Sequence, residues 1–121
     1  MDNESMQWLK EKLPLIEARV AAKVKASKDG GSYRCAYRVN GRAWDLSPEN
    51  CCFIGAIIEP EEYKPEMENK GPWGIVVSRR MTDWPVGVIQ ALGELQYIHD
   101  RQPIESWNKE FQLWKEKYGL A

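Results

Sequence analysis

The sequence predicts an α+β domain, mostly helical, running over residues 1–121 with a small antiparallel β-hairpin at about 32–46 packed on the helices. Three observations predict it. Apolar residues recur at helical spacing near both ends of the chain. An Asn40-Gly41 pair sits between two alternating segments. No membrane-length apolar run and no interdomain linker interrupts the 121 residues.

Met6, Leu9, Leu13, Ile16, Val20 and Val24 form the first stripe, and Pro14 falls inside it. Because proline removes a backbone donor and crowds the preceding turn, two helices are expected, from about Glu4 to Lys12 and from Pro14 to about Ser27. Lys23, Lys25 and Lys28 suit the negative end of the second, and Asp29-Gly30-Gly31 stops it. In "SYRCAYRVNGRAWDL" a type I′ turn at Asn40-Gly41 puts Tyr37 opposite Trp44 and Cys35 opposite Leu46. That register gathers apolar side chains on one face and Arg34, Arg38 and Asp45 on the other.

Ser47-Pro48-Glu49 reads as a helix start, with a short core helix through Cys51, Cys52, Phe53, Ile54 and Ile57. "EPEEYKPEMEN" carries five glutamates against one lysine and is expected as one helical turn at Pro60 followed by an exposed acidic loop. "GPWGIVVSRRM" is assigned helix, starting at Pro72-Trp73, with a strand as the alternative. Thr82 or Asp83 caps a long helix with the stripe Val86, Ile89, Leu92, Leu95 and Ile98. The last helix opens at Pro103, carries Ile104, Trp107, Phe111, Trp114 and Tyr118 on one face, and ends at Gly119.

A net charge of −1 disfavours direct nucleic-acid binding. Three cysteines, two of them adjacent, fit reduced, cytosolic thiols, and the acidic, then amphipathic start is wrong for a secretory signal. No nucleotide-binding, zinc-protease or serine-hydrolase signature occurs, so no cofactor is expected. Two constellations carry chemistry in principle. Cys52 with His99 and Asp100 has the elements of a thiol nucleophile, a base and an orienting carboxylate. Cys35, Cys52 and His99 are the candidate metal ligands. Against both, cysteine packs as a small hydrophobe, and His99-Asp100 suits a helix-end hydrogen-bonding pair. For partner binding the candidates are Glu59, Glu61, Glu62, Glu66, Glu68 and Trp73, an acidic stretch followed by an aromatic anchor.

The order of "CAYRVNGRAW", "CCFIGAIIEPEEYKPEMENKG" and "LGELQYIHDRQPIESWNKEF" before the terminal "YGLA" is similar to a group of small bacteriophage and prophage proteins. The likeness covers roughly Tyr33 to Leu120 and falls on Cys35, Cys52, Gly55, Tyr63, Glu66, Glu68, His99, Asp100 and Trp107. This chain departs from the group in the doubled Cys51-Cys52 and in the "AWDLSPEN" before them. The resemblance implies a phage origin and no particular chemistry. The functional expectation is therefore an accessory protein that binds and inhibits a bacterial host protein, with a defence nuclease complex as the candidate partner. A metal or thiol enzyme is the alternative, and a self-associating module using exposed tryptophans is the third reading.

Overall fold

The structure is a computed structural model that describes residues 1–22, 53–59, 61–62, 64–67, 71–78 and 80–121. Three α-helices organise it: α1 (Asn3–Ala22), α2 (Ile89–Arg101) and α3 (Trp107–Lys117). Between α1 and α2 the described chain makes 3-10 turns at Gly55–Ile57, Pro65–Met67 and Val86–Val88 and a π-helical turn at Gly74–Ser78. A further 3-10 turn, Ile104–Ser106, leads into α3.

The α+β expectation is corrected. Helix accounts for 73% of the described residues, and no strand occurs among them. The expected hairpin at 32–46, with Cys35 and Trp44, lies outside the described residues, as do Cys51 and Cys52. What closes the core against α1 is the apolar turn at Phe53–Ile58, whose Phe53, Ile54, Ile57 and Ile58 are all buried. Its described part is a 3-10 turn and not the expected α-helix, with Ile58 already extended.

Pro14 does not divide α1. A helix-interior proline costs about 3 kcal/mol. The stripe Leu9, Ile16 and Val20 on either side of it is buried, and each such side chain returns roughly 1.5–3 kcal/mol only if the helix keeps its phase. Burial wins. Asp2 caps the helix: the Ser5 amide donates to Asp2 Oδ1 at 2.7 Å, and that bond holds the Asp2 carboxyl below its ordinary pKa.

The acidic segment is tied down at two described points. Glu59 and Glu62 close a reciprocal turn: the Glu62 amide donates to the Glu59 carbonyl at 2.9 Å, and Glu62 Oε1 accepts the Glu59 amide at 3.0 Å. Met67 is fully buried, so the loop folds back onto the core instead of running free. Pro72 and Trp73 begin a helical turn, as assigned, but it widens to π at Gly74–Ser78. Arg80, at φ 50, then turns the chain away, and the Met81 amide reaches back to the Ile75 carbonyl at 2.7 Å.

α2 starts later than its expected cap, because Pro85 is extended and Val86–Val88 is a 3-10 turn. The tighter turn shifts the helical phase, so Val86 is 64% exposed and Val88 takes the buried place. Pro103 is likewise extended, and α3 begins at Trp107. Its end is as expected: Gly119 has φ +71, and the Leu120 amide donates to the Lys115 carbonyl at 2.8 Å. Late α2 meets early α3 where His99 stacks on Trp107, and early α2 meets late α3 where the Trp114 indole donates to the Ala91 carbonyl at 2.9 Å. The two helices are therefore an antiparallel pair, with α1 packed on α3 and on the turns at 55–57 and 86–88.

Candidate functional site

His99 lies in the last turn of α2, and the 102–106 connection brings Trp107 back over it. The two rings stack with centroids 5.5 Å apart and 28° between planes. The Phe53 ring presents its edge to both, at 5.1 Å from the imidazole and 4.7 Å from the indole. His99 Nδ1 and Asp100 Oδ1 are 2.8 Å apart, an interaction that fixes the orientation of the ring. At 2% exposure the imidazole is a core group with a polar edge. Of the thiol and metal constellations, His99 and Asp100 come together, whereas Cys35 and Cys52 lie outside the described residues. Among the described residues no three His, Cys, Asp or Glu side chains are placed to hold a metal ion.

The acidic candidates divide. Glu59, Glu61 and Glu66 are exposed, Glu62 is half-buried through its turn-closing bond, and Glu68 lies outside the described residues. Glu59 pairs with Lys12 of α1 at 3.6 Å. Trp73, one residue before the π-turn, is 60% exposed. Trp84, Trp107 and Trp114 are core, and Trp8 is half-buried with its ring 5.2 Å from Trp84.

Clefts open on the helical surface among the described residues, and two of them are of note. One, of about 290 Å³, lies along α1 beside Trp8, Glu4, Glu11 and Asp83. The other, of about 240 Å³, lies between α2 and α3, with Tyr97 and Leu113 on its walls and Ile98 and Trp114 beneath. Sequence reasoning missed this second cleft. The available signal was that Tyr97 and Leu113 are large apolar residues lying off the buried stripes of their helices.

Glu94 joins α2 to α3 at one end of that cleft, accepting from Lys117 Nζ at 2.6 Å and from the Tyr118 hydroxyl at 2.8 Å. Partial burial pushes the Glu94 carboxyl up, but the bonds from Lys117, Tyr118 and Gln90 together outweigh it and hold the pKa below the ordinary 4.5. Burial, and then the carboxylate beside it, pushes the Tyr118 phenol up. A lowered carboxylate contributes stability above its unfolded pKa and loses it as pH falls through the folded value. Glu94→Gln should thus melt below the wild type at neutral pH, with the gap narrowing as pH drops below about 4.5. Thermal melts from pH 7 to 3 check this, and a pH-independent gap would refute the linkage.

No known protein family, curated protein or solved structure matches this chain. Among the described residues no helix is long and apolar enough to cross a membrane.

Proposed function

We propose that this chain is a small accessory protein of phage type that binds a bacterial host protein in the cytoplasm and inhibits it without chemistry of its own. The partner class is a nuclease complex of host defence. The observation that carries the reading is Trp73, a tryptophan left 60% exposed immediately before a π-helical turn. π-Turns are frequent at functional sites, and tryptophan is among the residue types enriched as interface anchors. The exposed Glu59, Glu61 and Glu66 add negative charge in the preceding segment, suited to a basic groove that otherwise takes nucleic-acid phosphates.

The test is affinity capture from bacterial lysate, followed by cleavage assays on the captured complex. The wild-type chain should retain a nuclease complex and suppress its cleavage. Glu61→Gln, Glu62→Gln, Glu66→Gln and Glu68→Gln combined should abolish capture at ordinary salt. Trp73→Ala should weaken it by about thirtyfold, the size of an interface hot spot of roughly 2 kcal/mol. Undiminished capture by the fourfold variant removes the acidic surface from the account. The rival reading, a thiol or metal enzyme using Cys52, His99 and Asp100, is favoured by the 2.8 Å His99–Asp100 contact. Native mass spectrometry of untreated protein decides for it if a zinc or iron increment appears.

A further inference from the structure

The cleft between α2 and α3 has the make-up of a docking surface for one kind of partner. Its floor is Ile98 and Trp114, both buried, and its walls are Tyr97 and Leu113, which are 58% and 50% exposed. Large apolar groups held in water at both lips of an apolar trough are costly unless something covers them. A volume of about 240 Å³ is smaller than the roughly 300–1,000 Å³ of small-molecule sites, which favours a protruding side chain over a free ligand.

Charge selects among protein partners. Three charged residues line the cleft: Glu94, Lys117 and Glu110. Glu94 and Lys117 neutralise each other at 2.6 Å. Glu110, one turn before Trp114 on the same face of α3, has no side-chain partner among the described residues and leaves the rim with one uncompensated negative charge. An apolar occupant alone would strip water from that carboxylate and return nothing to it. An occupant carrying a cation one turn from its apolar anchor satisfies both features.

We propose that the α2/α3 cleft docks an amphipathic helical segment of a partner protein, which sets leucine-type side chains on Ile98 and Trp114 and an arginine or lysine on Glu110. A helix fits because the trough lies between two antiparallel helices and Glu110 lies one helical turn from Leu113 and Trp114. This surface uses none of the residues of the acidic segment or Trp73, so the two interactions stand or fall separately.

The test uses the full chain, isotope-labelled for NMR, and three alanine-based helical peptides. Each carries leucine at two positions one turn apart, followed one turn on by arginine, glutamine or glutamate. The arginine peptide should move the amide resonances of Tyr97 and Leu113 and the indole N–H of Trp114, and should bind more tightly than the glutamine peptide, with the glutamate peptide weakest. Glu110→Gln should weaken the arginine peptide about fivefold, as for a half-exposed ion pair, while leaving the glutamine peptide unchanged. Absence of these shifts at saturating peptide overturns the proposal, as does a Glu110→Gln effect that is the same for all three peptides. Sedimentation showing a dimer whose dissociation moves the same resonances also overturns it, because the occupant would then be a second copy of this chain.

Discussion

Trp107→Ala is expected to remove about 3–5 kcal/mol of folding stability, a large fraction of the roughly 5–15 kcal/mol a domain of this size possesses. Trp107 is fully buried at the point where three separately encoded pieces of chain meet. Its ring lies against His99 from the end of α2 and against Phe53 from the turn at 53–58, and its indole N–H donates to the Gln102 carbonyl at 3.3 Å. Alanine leaves a cavity where that ring stood and takes the cover off the imidazole, which is held by Asp100 and cannot collapse freely into the gap. Trp107→Phe keeps an aromatic face for Phe53 and His99 and should cost less than half as much. Denaturant unfolding measures both, and the alanine variant should melt on the order of 10–20 °C below the wild type. A loss under about 1 kcal/mol would mean that the ring is not in the core.

Gly87→Ala should destabilise the fold by about 1–3 kcal/mol, although the residue is exposed and Gly→Ala at a compatible exposed site ordinarily stabilises by about 0.4–1 kcal/mol. The sign is reversed by what lies beneath. A Cβ at Gly87 would sit 3.0 Å from Asp2 Oδ2 and 3.2 Å from Ser5 Cβ, with Ser5 Oγ closer still. Asp2 cannot swing aside without giving up the cap on the Ser5 amide. Ser5 is fully buried, so its hydroxyl cannot swing out into solvent without disturbing the turn. Replacing Ser5 by alanine removes the closest atom, so Ser5→Ala combined with Gly87→Ala should recover part of the loss, a coupling that a double-mutant cycle reads directly. If Gly87→Ala alone raises the melting temperature, the close approach of the 86–88 turn to α1 is wrong.

Where the sequence reading succeeded, it relied on a period. The stripes Leu92, Leu95, Ile98 and Trp107, Phe111, Trp114 point to buried faces because 3.6 residues per turn puts those positions on one side, and all six are buried. The stop at Gly119 was legible because a left-handed residue ending a helix is most cheaply glycine. Pro14, by contrast, was weighed by its local cost alone. A local rule carries no information about how much surface the continuous helix buries. Val86 was misplaced because a 3-10 turn changes the phase of the count, and nothing in "WPVGV" separates that turn from α-helix. The α+β class rested on one turn signal at 40–41, which lies outside the described residues, while the described core is closed by helices and the 53–58 turn.

The candidate sites were legible as residue types and less so as places. The His99-Asp100 pair is adjacent in the chain, so its contact follows from sequence. The three-ring cluster of His99 with Phe53 and Trp107 joins positions 46 and 8 residues away and needed the fold. Glu62 counts as acidic surface by composition, yet its carboxylate closes a turn. The α2/α3 cleft, with Glu110 at its rim, exists only once two helices have paired.

By itself, the sequence determined that α2 and α3 exist, that Leu92, Leu95, Ile98, Trp107, Phe111 and Trp114 lie on their buried faces, and that α3 stops at Gly119. Those are consequences of hydrophobic period and backbone conformational preference, which act over a few residues. Only the tertiary structure decided that α1 passes through Pro14, that Gly87 must lack a side chain, that Trp73 stays in water while Trp107 does not, and that a cleft opens between Tyr97 and Leu113. Each of these is a comparison between buried areas or spaces contributed by segments far apart in the chain. Such terms come into being only when the segments pack.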